Sequence, residues 1–170
     1  MRCVGSLFAA VLWLGCASPV AESSTAAVAP ERIAGLEREL AALAPLAPPE
    51  EGRLLAVAAV RQSQQLAADY RLTRPPVLHN LLVNLGLRER GLCWHWTEDL
   101  IERLGALPLP SYALHWGIAH RGERFREHNS LIVTARGGHL ASGLVLDPWR
   151  ESGELHWVAV ADDSYPWEPY

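Results

Sequence analysis

Two hydrophobic periods divide this chain. As far as Gly105 the apolar positions recur every three or four residues, and from Tyr112 onward they alternate. Ile33, Leu36, Leu40 and Leu43 predict a short amphipathic helix stopped by Pro45. Pro48-Pro49-Glu50-Glu51 opens a second helix, with proline and acids in its first turn, running to about Tyr70 and burying Leu54, Leu55, Ala58 and Leu66. Val77, Leu78, Leu81, Leu82 and Leu85 fit a third, capped at Gly86. A fourth starts at Cys93, with Trp96, Leu100, Ile101 and Leu104 on its apolar side, and Pro108 and Pro110 forbid its continuation past Gly105. Tyr112, Leu114, Trp116 and Ile118 then alternate with Ala113, His115, Gly117 and Ala119 as a strand. Residues 127–135 predict a second strand, Gly137-Gly138 a tight hairpin, 140–147 a third strand and Leu155 to Val160 a fourth. The tail from Asp162 to Tyr170 has no periodicity. The expected class is α+β: N-terminal helices, then an antiparallel sheet of about four strands.

Length adds that 170 residues suffice for one domain with a real core, placed at 31–170. The formal charge of −4, with every basic residue an arginine, argues against a nucleic-acid partner. The first 16 residues stand apart. Arg2 precedes a short apolar run, and Leu12-Trp13-Leu14-Gly15-Cys16 resembles a bacterial lipoprotein signal. That resemblance implies a lipid on Cys16, a membrane as partner through it, and a place in the cell envelope; without the lipid the chain is secreted. Residues 17–30, rich in Ala, Ser and Pro, read as a tether.

Cysteine usage then changes the picture. Cys3 belongs to the signal segment and Cys16 to the anchor, which leaves Cys93 unpaired in an oxidising compartment. Its expected place, directly after Arg88-Glu89-Arg90-Gly91 at a helix start, is one that favours a thiolate. His128 opens a strand and Asp147 closes the strand after it. A hairpin centred on Gly137-Gly138 sets these two opposite each other, on one face, close enough for the carboxylate to hold the imidazole. Asn129 is expected to point away from them. Cysteine, histidine and aspartate supply a nucleophile, a base and a group that orients the base. His95, His115, His120 and His139 show no compact metal-binding spacing, so neither a metal nor another cofactor is expected. Trp94, Trp96, Trp116, Trp149 and Trp157 are expected mostly to fill the core.

Gly91-Leu92-Cys93-Trp94 at a helix start, His128 on a strand and Leu146-Asp147-Pro148 at the end of the next resemble the transglutaminase-like branch of the papain-like cysteine hydrolases. The resemblance covers roughly residues 80–150 and implies Cys93 as nucleophile, His128 as base and Asp147 as orienting acid. Papain-type enzymes carry a glutamine six residues before the cysteine, where this chain has Leu87. The donor for a developing oxyanion is therefore sought at Asn84 and His95, with Trp94 in support, beside the Cys93 backbone N–H. The implied activity is hydrolysis or acyl transfer at an amide, peptide or isopeptide bond of a peptide, protein or cell-wall substrate. The alternative is an envelope lipoprotein that uses the same fold, without catalysis, as a binding or assembly module.

Overall fold

A computed structural model describes residues 30–170. Cys16, the signal-like segment and the tether up to residue 29 lie outside the described residues. Four helices come first: α1 (Pro30–Leu43), α2 (Pro49–Asp69), α3 (Pro76–Asn84) and α4 (Cys93–Gly105). Proline stands at the first positions of α2 and α3, where its missing N–H costs nothing and its fixed φ is already helical. Five strands follow: β1 (Tyr112–Ala119), β2 (His128–Ala135), β3 (Leu144–Glu151), β4 (Glu154–Ala159) and β5 (Trp167–Pro169). They form one antiparallel sheet in the order β4-β3-β2-β1-β5. The fifth strand lies inside the tail that the sequence reading left without structure. Three residues are too few to show a period; pairing with β1, not an alternating pattern, makes that segment a strand.

The helices supply one layer of the core and the sheet the other. Leu36 and Leu40 of α1, Leu55 and Ala59 of α2, and Leu100 and Leu104 of α4 close on Leu131, Val133, Leu144 and Leu146 of the two central strands. Each such leucine contributes about 1.5–3 kcal/mol by leaving water. Two polar ties fix the layers. Buried Glu51 of α2 accepts hydrogen bonds from the Ser111 N–H and hydroxyl, both at 3.0 Å, and the Tyr112 hydroxyl donates to the Leu40 carbonyl at 3.1 Å. Leu54, expected inside, is exposed. The third helix forms where its leucines predict, but Val77, Leu78, Leu81 and Leu85 face solvent and His79 is its buried residue.

The β2–β3 connection departs from a two-residue hairpin. After Gly137 the chain makes a 3₁₀ turn at Leu140–Ser142, so β3 begins at Leu144 rather than 140. Leu131 pairs with Leu146, and continuing that register sets His128 opposite Trp149 and Asp147 opposite Ser130. The predicted pairing of 128 with 147 was off by two residues. A slip of two preserves the face of every side chain, whereas a slip of one inverts it. His128 and Asp147 therefore still share a face. β2 is buried on both sides along nearly its whole length. Leu131 and Val133 meet the helices, while Ile132 on the other face lies over Gly117 of β1, where a β-carbon would come within 2.4 Å of it.

Candidate active site

The site starts with the chain entering α4. Gly91 has a φ of +125°, and a β-carbon there would lie 2.2 Å from the His79 ring, so only glycine fits. His79 accepts from the Thr73 N–H with Nδ1 at 3.1 Å and donates Nε2–H to the Arg90 carbonyl at 2.9 Å, which fixes the orientation of its ring. His95, one turn into α4, accepts the N–H groups of Gly91 and Leu92 on Nδ1, each at 3.1 Å. The buried Trp96 indole donates to the Gly91 carbonyl at 2.9 Å. Three side chains thus hold residues 90–92 and set half-buried Cys93 on the first helical turn. Arg90 is paired with Asp99 and Glu98, and the Tyr70 hydroxyl donates to Asp99 at 2.6 Å.

His128 and Asp147 meet at 2.6 Å between Nε2 and Oδ2, with exposures of 3% and 1%. Asp147 is fully partnered: its Oδ1 accepts the N–H groups of Trp149 and Arg150, and its Oδ2 also accepts the Arg150 Nε–H, each at 3.1 Å. Burial works against charge on both members of the pair. It is outweighed on Asp147 by His128 and Arg150, which hold the carboxyl below the usual carboxylate range. On His128, burial is outweighed by the hydrogen bond and charge of Asp147, with Cys93 adding to them, and the imidazole is pushed up to about 9. With Nε2 committed to Asp147, the other ring nitrogen is the one left for the thiol. The three residues singled out from the sequence are thus neighbours in the order Cys93, His128, Asp147.

Aromatic rings enclose the imidazole. Trp149 and Tyr165 lie 4.8 Å from the His128 ring and Trp167 5.6 Å from it, centroid to centroid. Trp149 donates its indole N–H to Asn80 of α3 at 3.0 Å. Asp163 accepts from Arg150 at 2.9 and 3.2 Å and from the Trp167 indole at 2.9 Å, so one arginine joins Asp147 to the segment carrying β5. Among the tryptophans expected in the core, Trp96 is fully buried, Trp94 is 41% exposed and Trp149 packs against the histidine.

The supporting residues expected from the sequence are placed differently. Asn84 is exposed at the end of α3, Trp94 lies against the His95 ring, and His95 spends its Nδ1 lone pair on the entry to α4. Asn129, expected to point away, does alternate with His128, but the face it turns to is the one that carries α4. Its Nδ2 is 3.9 Å from Cys93 Sγ, and its Oδ1 accepts the Trp116 indole N–H at 2.7 Å. One signal could have found it: Leu131 and Val133 mark the helix-facing side of β2, and Asn129 shares their parity. A separate cavity of about 390 Å³, lined by Tyr70, Arg88, Arg90, Asp99 and Arg103 among others, includes none of Cys93, His128 or Asp147. Comparison with family models, curated proteins and solved structures finds no match to the chain.

Proposed function

We propose that this protein is a cysteine-dependent hydrolase or acyl transferase of the transglutaminase-like, papain-like type, acting on an amide, peptide or isopeptide bond. One observation carries the reading. A cysteine on the first turn of a helix lies beside a buried histidine that is itself 2.6 Å, through Nε2, from a buried, fully partnered aspartate. Ion-pair networks of structural purpose do not need a thiol at one end and a half-open helix start beneath it. In the reaction, the proton shared between Cys93 and His128 stays on the imidazole as Cys93 Sγ bonds to the carbonyl carbon. The carbonyl electron pair moves to oxygen, and on its return the C–N bond breaks and the leaving amine takes the proton from His128. Water or a second amine then repeats these steps on the thioester and frees the thiol. Asp147 keeps the imidazole in one tautomer and orientation throughout.

Thiol reactivity tests this. Rapid alkylation of native protein by iodoacetamide at neutral pH, confined to Cys93 and lost in Cys93→Ser, is the expected result. Labelling of Cys93 that requires denaturation would sink the reading. A second reading, a binding or assembly module of the same fold, is favoured by α3, whose Val77, Leu81 and Leu85 are all more than half exposed beside Asn80, the Trp149 partner. The anchor is likewise a proposal, resting on the signal-like sequence around Cys16. No helix of the described residues is long and apolar enough to cross a membrane. Cys16→Ala should release the chain from a membrane fraction, and unchanged membrane association would refute lipidation.

A further inference from the structure

The candidate site lacks the glutamine of papain-type enzymes; of the groups expected in its place, Asn84 is exposed and Trp94 lies against the His95 ring. We infer that the oxyanion hole is formed by the side-chain amide of Asn129 together with the backbone N–H of Cys93, with Trp116 as the residue that aims the amide. This rests on the acyl-transfer reading above.

The orientation of the amide follows from its partner. An indole N–H only donates, so the atom facing Trp116 Nε1 at 2.7 Å is the Asn129 oxygen, and the NH₂ group is turned toward Cys93. Trp116 is itself held: Tyr170 stacks on it at 4.9 Å between centroids, and the Tyr170 N–H donates to its carbonyl at 2.9 Å. Asn129 is buried, so a donor left unused there would be costly. In the resting site its partner is the sulfur at 3.9 Å, a weak acceptor at long range. When a carbonyl carbon bonds to that sulfur, its oxygen lies nearer to the sulfur than Asn129 Nδ2 does. A position about 2.7–3.1 Å from Nδ2, the range needed for a transition-state donor, is then within reach. Cys93 opens α4, so its own N–H has no carbonyl one turn back and points out of the helix start. Two donors thus converge on one oxygen, supplied by a strand and a helix rather than by a residue upstream of the cysteine.

Two electrophiles separate this role from a structural one. Iodoacetamide alkylates sulfur by displacing iodide and builds no oxyanion, whereas p-nitrophenyl acetate acylates it through a tetrahedral one. Both rates are read at Cys93 by peptide mass in the full chain, with Cys3→Ser and Cys16→Ala removing the other thiols. Asn129→Ala should lower acylation about 10²–10³-fold while alkylation stays within about twofold of the parent. Trp116→Phe keeps the amide but frees it to rotate, and acylation should fall part of the way, again with alkylation kept. An undiminished acylation rate in Asn129→Ala overturns the assignment, as does a parallel fall of both rates in a variant that still melts cooperatively. Should Asn129→Ala not fold, Trp116→Phe decides alone, and unchanged acylation there overturns it. A parent chain that is alkylated rapidly but never acylated overturns the acyl-transfer reading and this assignment together. A parent that is acylated while Asn129→Ala is acylated equally well overturns the assignment only.

Discussion

His128 is a buried imidazole whose neighbours favour its charged form. Burial alone would make it a weak base, yet the carboxylate at 2.6 Å and the thiol on its other side raise it to about 9. Linkage gives the sign of the effect on stability. The folded value lies above the ordinary 6.5, so the protonated histidine stabilises the fold fully below that pH and the contribution is lost as pH rises through about 9. Asp147 is depressed below 3.8, so its contribution is present above that value and lost as pH falls through the lowered one. Chemical denaturation across pH should therefore show an alkaline decline below pH 10 that His128→Gln abolishes; a decline that persists in the variant would assign it elsewhere. The same contacts order the kinetic variants. His128→Ala removes the base and should cost acyl transfer about 10²–10⁴-fold, and Asp147→Asn, which disturbs orientation more than basicity, should cost less. Steady-state rates with an activated ester would check the ranking. At this scale the meeting of His128 and Asp147 was legible in the sequence, because strand parity puts both on one face. Asn129 was illegible for the opposite reason: alternation put it on the other face of the strand, and nothing local says that α4 delivers the sulfur to that face.

The entry to α4 is the element on which the site depends. Gly91 combines a φ of +125° with a neighbouring ring that leaves no room for a methyl group. Gly91→Ala should destabilise the protein by about 3 kcal/mol, from backbone strain and overpacking together. It should also slow Cys93 alkylation, since the loop that seats the cysteine must move. A urea denaturation curve and a labelling rate on the same variant test both parts. Helices α1, α2 and α4 were legible from their apolar spacing, because each lays that stripe on the sheet. The stripe on α3 looks the same in sequence but faces outward, and periodicity records only that a side is apolar, not what covers it. Strand parity survived an error of two residues in the β2–β3 register. The 3₁₀ turn at Leu140–Ser142 consumed residues that a tight hairpin would have placed in the strand.

Across the whole molecule, one face of the sheet is closed by helices, and the histidine is closed in by the last stretch of chain described. Arg150 stands between Asp147 and Asp163, and Asp163 also holds the Trp167 indole, so the charge that fixes the triad-like cluster also fixes its cover. Asp163→Ala should cost about 1–3 kcal/mol through the unpaired arginine and lost indole bond, and should make His128 more reactive toward diethylpyrocarbonate. A histidine modified no faster in that variant would show that residues 163–167 do not act as its cover. The enclosure has one more consequence. Trp149 and Trp167 hold their indoles 4.8 and 5.6 Å from the His128 ring. An imidazolium withdraws electrons from an excited indole and quenches its light, and the neutral ring does so far less. The molecule thus carries an optical gauge of its own base: tryptophan emission should brighten as pH rises through about 9 and stay level in His128→Gln, with no substrate needed to read it.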